Sequence, residues 1–363
     1  MLTYFLATAL TLFFAMLACK SNKEELVTSR YLISRKKPFS YNLFFAVLSA
    51  IPLTLIAAIR YDIGIDYGWV FRDGFILIRD RGIMPPWEIG FLAIARTVLL
   101  FTGDYAWMFA VVAILTSIFV FHSIYSISNN IPFSILLYVL SGVYFSSFNT
   151  IRQALSIAMF IYAIKFIPAR KLVKYLFVVC LAATIHTSAI ILILFYWVYN
   201  IRISPKRMLL IAAFSAAFFP FVRSVFIHIV SMTRYYRYIG GRYDADDWTI
   251  APLIMAIPII VLGYFYWNNA KDNKMYNFYM NLQLIAFILS IYSSQLILIH
   301  RVQNYFTATQ LFLVPLIVAQ EKNPRTKMLL VTMFIALFLA YCIVGYVILG
   351  WSGILPYRTI FSR

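Results

Sequence analysis

Signatures of soluble catalysis are missing from this sequence. It has no P-loop, no HExxH and no Gly-x-Ser-x-Gly, so nothing marks phosphate-loop nucleotide chemistry, zinc proteolysis or an α/β-hydrolase elbow. Cysteine is scarce: Cys19, Cys180 and Cys342 each lie in or at the edge of an apolar run. That excludes a disulfide framework and a cysteine-rich metal cluster. Acids are few, 13 Asp and Glu, and the one Asp-x-Asp, Asp244-Ala245-Asp246, is too short a pattern to define a metal site. What the chain has instead is hydrophobicity. Of its 363 residues 63% are hydrophobic and 12% charged, and apolar runs of membrane-spanning length recur from end to end. The expected fold is all-α, a polytopic integral membrane protein forming a single transmembrane domain over residues 1–363. The net charge of +18 then reflects positive-inside loops and an anionic membrane surface, not nucleic acid.

Charged loops set the order of crossings. Leu2–Cys19 has no preceding Lys or Arg and no small-residue cleavage site after it, so it reads as a retained span. The basic loop after it (Lys20, Lys23, Arg30, Arg35, Lys36, Lys37) belongs in the cytoplasm. Tyr41–Ile59 returns outward to an extracytoplasmic segment, Arg60–Asp104, whose apolar piece Ile89–Phe101 carries Arg96 and reads as interfacial or re-entrant. Tyr105–Tyr125, Ile131–Phe145 and Thr150–Ile167 follow as crossings. Leu172–Tyr199 lies between two basic clusters that both want the cytoplasm. It is expected to cross twice as two short helices with His186 near the outer turn, a single long tilted helix being the alternative. Met208–Val230 leads to a second outer loop, about 231–249, and Ile250–Trp267, Phe278–Ile297, Tyr305–Ala319 and Met328–Leu349 complete about twelve crossings, both termini outside.

This topology sorts the charges by type. Every lysine falls in the cytoplasmic segments or at their helix edges, whereas Asp62, Asp66, Asp73, Asp80, Glu88, Asp104, Asp244, Asp246 and Asp247 fall outside. The outer positive charges are arginines: Arg60, Arg72, Arg79, Arg81, Arg152, Arg234, Arg237, Arg242 and Arg301. Arginine's planar fork pairs bidentately with phosphate oxygens, which a lysine cannot reproduce. An outer face of Arg and Asp suits an anionic, hydroxyl-rich ligand.

Six stretches carry chemistry, each beside a plainer explanation. Arg60-Tyr61-Asp62-Ile63-Gly64-Ile65-Asp66-Tyr67 would put two carboxylates on one face if helical, or is a solvated loop. Trp87-Glu88-Ile89-Gly90-Phe91 sets an acid at the start of an apolar segment, where a helix dipole alone would favour it. Phe148-Asn149-Thr150-Ile151-Arg152-Gln153 sets a guanidinium and two amides at the mouth of an apolar helix, where a charge must snorkel, face a wet cavity or meet an anion. His186-Thr187-Ser188-Ala189 holds a histidine that is either packing or a proton acceptor. His300-Arg301 sits at an outer turn. Arg237 and Tyr238, among interleaved Arg and Tyr, suit phosphate and sugar, or an interfacial aromatic belt.

Taken in order, the first four stretches and His300-Arg301 resemble the EpsG family, related to the Wzy-type polymerases of exopolysaccharide and O-antigen synthesis. Asn-x-x-Arg-Gln is the most specific of them, and Ile65 and Ile89 stand where the family has Thr and Pro. The resemblance implies a glycosyltransferase C-like membrane fold in a bacterial cytoplasmic membrane, acting outside on oligosaccharides linked to undecaprenyl diphosphate. The growing chain would pass from one lipid carrier to a sugar hydroxyl on another, making a capsule, exopolysaccharide or O-antigen polymer alongside a flippase and a chain-length regulator. In that reading Arg152 and Arg301 clamp the diphosphate, with Arg60 as a third contact. Gln153, Asn149, Glu88, His300, Arg237 and Tyr238 hold substrate. Asp62, Asp66 or His186 takes the proton, His186 leading because imidazole titrates near neutral pH. No metal or cofactor is expected, since the diphosphate leaves well and arginine offsets its charge. A lipid-linked oligosaccharide flippase and a membrane O-acyltransferase with His186 as base are the competing classes.

Overall fold

The computed structural model describes residues 1–28, 41–232, 251–293 and 299–362. Among them the chain is helical, with one isolated β-bridge, Arg60 to Thr359. The expected outer loop 231–249, with Arg237 and Tyr238, lies outside the described residues except at its first positions, as does most of the first basic loop. The helices group into two compact units, residues 1–193 with 338–363, and residues 194–337.

The first unit contains α1 (Leu2–Thr28), α2 (Leu43–Ala58), α3 (Asp73–Arg81), α4 (Ile89–Leu99), α5 (Ala106–Ile127), α6 (Ile131–Leu140), α7 (Val143–Ser146), α8 (Ile151–Ala163) and α9 (Leu172–Ile185). Local chemistry explains several ends. The Asn42 side chain accepts from the Phe44 and Phe45 amides, and the Asn130 side chain from Phe133, which start α2 and α6. Gly82 ends α3 in the left-handed conformation, φ 64°. His186 ends α9 in extended backbone. Beyond it a 3-10 stretch, Thr187–Leu194, folds back so that the Tyr175 hydroxyl donates to the Leu192 carbonyl at 2.5 Å. The run 172–199 is therefore two segments with His186 at the break, and the single long helix is ruled out.

Helices α1, α2, α5 and α8 pack side by side between two ends. At one end the Asn42 amide donates to the Ala18 carbonyl, the Tyr41 and Tyr125 rings meet at 4.7 Å, and Lys165 Nζ lies 2.8 Å from His122 Nε2. At the other the Tyr4 hydroxyl donates to the Ile354 carbonyl, and Tyr4 packs edge-on against Phe145 and Phe148. Residues 353–360 strap that end: Tyr61 donates to Arg358, Gly64 to Gly353, and Ile360 to Ile59.

The second unit contains α10 (Phe195–Val198), α11 (Pro205–Ser231), α12 (Ala251–Phe265), α13 (Trp267–Ala270), α14 (Lys274–Ser293), α15 (Ile299–Thr307), α16 (Gln310–Gln320) and most of α17 (Pro324–Cys342), whose last turn belongs to the first unit. Helix α14 is its hub, touching α11, α12, α15 and α16. Helices α15 and α16 are together apolar enough for a span and are bent by 42° at the break between them. A break inside an apolar layer frees backbone carbonyls that no water can satisfy. Gln283 of α14 adds to the donors at the break, giving its amide N–H groups to the Phe306 carbonyl at 2.7 Å, which also accepts from the Thr309 hydroxyl, and to Thr309 Oγ1 at 2.9 Å, while its own oxygen accepts from the Gln310 amide at 3.0 Å. Gln283→Leu is expected to destabilise the protein by about 1–3 kcal/mol, since it leaves the buried Gln310 amide without its acceptor. A thermal melt of the purified protein in detergent checks this; an unchanged Tm would show that the buried amide pair is not needed at the break.

Among the described residues four helices are long and apolar enough to cross a membrane, Leu2–Lys20, Ala106–Ile127, Pro205–Ser231 and Pro324–Ile348, with a fifth if the bent pair is one span. Six other apolar helices among them have 10–17 residues. At 1.5 Å per residue these reach roughly 15–25 Å, short of a ~30 Å hydrocarbon core. Breaks at Ser141-Gly142 and at His186 account for two of them. The chain is an all-helical membrane protein.

Candidate functional site

The site assembles at the strapped end of the first unit, from residues far apart in sequence. Gly64 seats the first stretch against the third: its φ is +108°, and a Cβ there would lie 2.2 Å from the Phe148 carbonyl oxygen. Beside it the Asp66 amide donates to Asn149 Oδ1 at 2.8 Å. Three residues on, Arg152 projects from the first turn of α8 and donates from Nη1 to Glu88 Oε2. Its guanidinium also lies over the Phe71 ring, 5.9 Å from the centroid. Among the described residues the remainder of the Arg152 fork carries no hydrogen bond, and the side chain is 22% exposed.

Glu88 caps α4 in extended backbone, yet its carboxylate does not fold back onto its own helix. It reaches across to the end of α9. Its Oε1 accepts from the Thr187 amide at 3.2 Å and from the Thr187 hydroxyl at 3.4 Å, and lies 3.2 Å from His186 Nδ1. The imidazole is off the line of a hydrogen bond to it, and among the described residues neither ring nitrogen of this buried histidine has a hydrogen-bond partner. Burial alone would raise the Glu88 pKa. The His186 contact, the Arg152 charge and the Thr187 amide outweigh it and hold the carboxyl down to about 2. Glu88 is thus ionised at neutral and mildly acidic pH. Because its folded pKa is depressed, the stability it contributes is complete above the ordinary carboxyl range and is lost only as pH falls toward 2.

The other expected site residues distribute around this cluster. Asp62 and Asp66 do not share a helix face: Asp62 has a left-handed φ of 52°, and Asp66 sits at the start of a π-helical turn, Tyr67–Arg72. Asp62 is exposed and pairs with Arg358 at 3.6 Å. Nothing in the sequence around Arg358 marks it; only the strap brings it there. Gln153 is buried on α8. Arg60 is 2% exposed, its guanidinium between the Phe109 and Phe148 rings at 5.1 and 4.9 Å, with Nη1 donating to the Ala57 carbonyl. Burial pulls its pKa down to about 10, so it stays charged. A small cavity beside it, lined among others by Thr116, Ser117 and Tyr138, has room for about one water. His300 and Arg301 begin α15 in the second unit. Phe71 and Thr187, not expected as contacts, complete the Arg152 and Glu88 surroundings; Thr187 followed the flagged histidine, whereas Phe71 had no signal.

Four of the six chemistry-bearing stretches thus meet at one end of one unit. Comparison with curated proteins and with solved structures finds no match. The sequence profile of the EpsG family matches residues 42–359, a span that contains the whole cluster and all but the last residue of the strap. The chain belongs to the EpsG family of polysaccharide-polymerase-type membrane proteins.

Proposed function

We propose that the protein is a polysaccharide polymerase that transfers a glycan chain from undecaprenyl diphosphate onto a lipid-linked repeat unit at the outer face of a bacterial cytoplasmic membrane. The observation that carries this reading is the cluster itself: a partly exposed arginine fork, a carboxylate and an orphaned histidine converge at one end of apolar helices. A lipid held by its tails presents its diphosphate at that depth. The acceptor hydroxyl oxygen attacks the donor's anomeric carbon, and the bond from that carbon to the diphosphate oxygen breaks. The electron pair leaves with the diphosphate, whose growing charge Arg152 offsets. The hydroxyl proton passes to His186. Asp66 and Asn149, joined beside Arg152, are assigned to sugar hydroxyls. Arg60, caged by aromatic rings, is assigned to holding the 60–66 stretch instead of the diphosphate.

The shorter apolar helices other than α4 are read as crossings that share the layer with longer neighbours, for about twelve in a glycosyltransferase C-like bundle with α4 interfacial or re-entrant. The alternation of α1, α2, α5 and α8 between two ends supports this, as does Lys165 at the end opposite the cluster. Purified protein given only lipid-linked repeats, in buffer containing EDTA, is expected to lengthen them, and Asp80→Cys is expected to label from outside the cell. Lipid movement across a bilayer without lengthening would favour a flippase. Dependence on a divalent ion would put a metal in the site.

A further inference from the structure

The geometry points to Glu88 as the positioning residue of this site: it selects which nitrogen of His186 carries the proton and holds the Arg152 guanidinium beside that ring. The inference rests on the transfer reading above and adds a division of labour to it.

Glu88 is fixed on both sides by close packing. A Cβ on Gly90 would lie 2.3 Å from Thr184 Oγ1 and 2.9 Å from the Thr184 backbone, so a hydrogen at that position lets the start of α4 dock on the last turn of α9. The Trp87 ring covers Gly74, where a Cβ would come within 2.4 Å of it, and Trp87 is 7% exposed. The carboxylate between these two contacts has little freedom. Its oxygens divide the work: Oε2 takes Arg152, while Oε1 takes Thr187 and faces His186 Nδ1 at 3.2 Å.

A carboxylate accepts and does not donate, so the nitrogen it faces is stabilised as N–H. That leaves the lone pair on Nε2, the nitrogen suited to receive a proton. A small turn of the ring brings Nδ1–H onto Oε1, and catalytic hydrogen bonds commonly tighten only with substrate present. Among the described residues Nε2 is buried without a partner, and an orphaned buried acceptor is resolved when a hydroxyl donates to it. Glu88 is too acidic to be the base. In the step itself the acceptor O–H proton goes to Nε2, the new carbon–oxygen bond forms, and the Glu88 charge stabilises the imidazolium. Among the described residues the charged groups facing Glu88 are Arg152 from α8 and His186 from the end of α9; Arg72, nearby on the π-helical turn, is paired with Asp73 at 2.8 Å.

The test is Glu88→Gln in the full-length protein, with elongation rates measured across donor concentrations. The amide keeps the shape but loses the charge and can donate to Nδ1. The expected result is a kcat lower by about 100-fold or more, with KM for the lipid-linked donor within about twofold. A kcat within about twofold of wild type, or a KM raised as much as kcat falls, overturns the inference. If Glu88→Gln does not accumulate, Glu88→Asp serves: it keeps the charge but shortens the reach, so kcat should fall about tenfold with KM within about twofold, and a kcat within about twofold of wild type overturns the inference. His186→Ala separates the two levels. If it elongates normally, the base assignment and the role of Glu88 both fall. If it is inactive while Glu88→Gln is normal, only the role of Glu88 falls.

Discussion

Arg152→Lys is expected to lower elongation about tenfold or more at equal protein levels in the membrane. Lysine keeps the charge and snorkels as well as arginine, so an arginine that only anchors a helix end would be replaced with little effect. The arrangement around Arg152 asks for more than charge. One arm of the fork is on Glu88, the planar face lies over Phe71, and the remaining N–H groups stay partly exposed. A point ammonium can keep Glu88 or reach a diphosphate, but it cannot hold both in one plane. The loss of one charge-assisted hydrogen bond, roughly 1.5–3 kcal/mol, corresponds to a rate decrease of about tenfold to a hundredfold. If that contact strengthens as charge builds on the leaving group, kcat falls more than the apparent affinity. Initial rates across donor concentrations separate the two. Wild-type elongation by Arg152→Lys would remove Arg152 from the transfer site.

Gly64→Ala is expected to damage both fold and activity, beyond what its single added methyl suggests. The new Cβ would lie 2.2 Å from the Phe148 oxygen, 3.0 Å from the Phe148 carbonyl carbon and 3.3 Å from the Asn149 Cα. All three are backbone atoms at the entrance to α8, so none can swing aside as a side-chain tip would. The φ of +108° is strained for any residue with a side chain, adding about 1–3 kcal/mol. Relief requires the 60–66 stretch to lift away from Phe148-Asn149, which undoes the Asp66–Asn149 hydrogen bond and disturbs the mouth of α8. Gly82→Ala is the matched control: its φ is +64° and a Cβ there meets nothing within 4 Å. It should lose only about 1–2 kcal/mol of backbone strain and keep near-normal elongation. Equal melting temperatures for the two variants would show that the close approach at Gly64 is not needed.

Much of the helical layout was legible because it depends on short-range pattern. Long apolar runs demand helices in lipid, whatever they pack against. The break near His186 was legible from basic clusters on both sides of a run too short for comfort and too long for one helix. The length of the helices was less legible: α6 and α9 stop where Gly142 and His186 take non-helical backbone, and those departures answer to tertiary contacts. The site residues were legible as types and as stretches, but not as partners. Glu88 and Arg152 are 64 positions apart, and Glu88 and Thr187 are 99 apart; no periodicity spans such distances. The two aspartates of the first stretch look like a pair by spacing, yet a left-handed residue at Asp62 sends them different ways.

By itself, then, the sequence determined that this chain lives in a membrane as helices, which ends of those helices carry arginine and acid, and which short stretches hold chemistry. These follow from the free energy of burying one residue type at a time in hydrocarbon or at its edge. The tertiary structure decided what each charge does. It buried Arg60 between two rings, brought Arg358 to Asp62 by way of the C-terminal strap, and turned Glu88 from a helix-cap acid into the common neighbour of Arg152 and His186. A buried charge takes its role from the partners within a few ångströms, and only the packed fold chooses those partners.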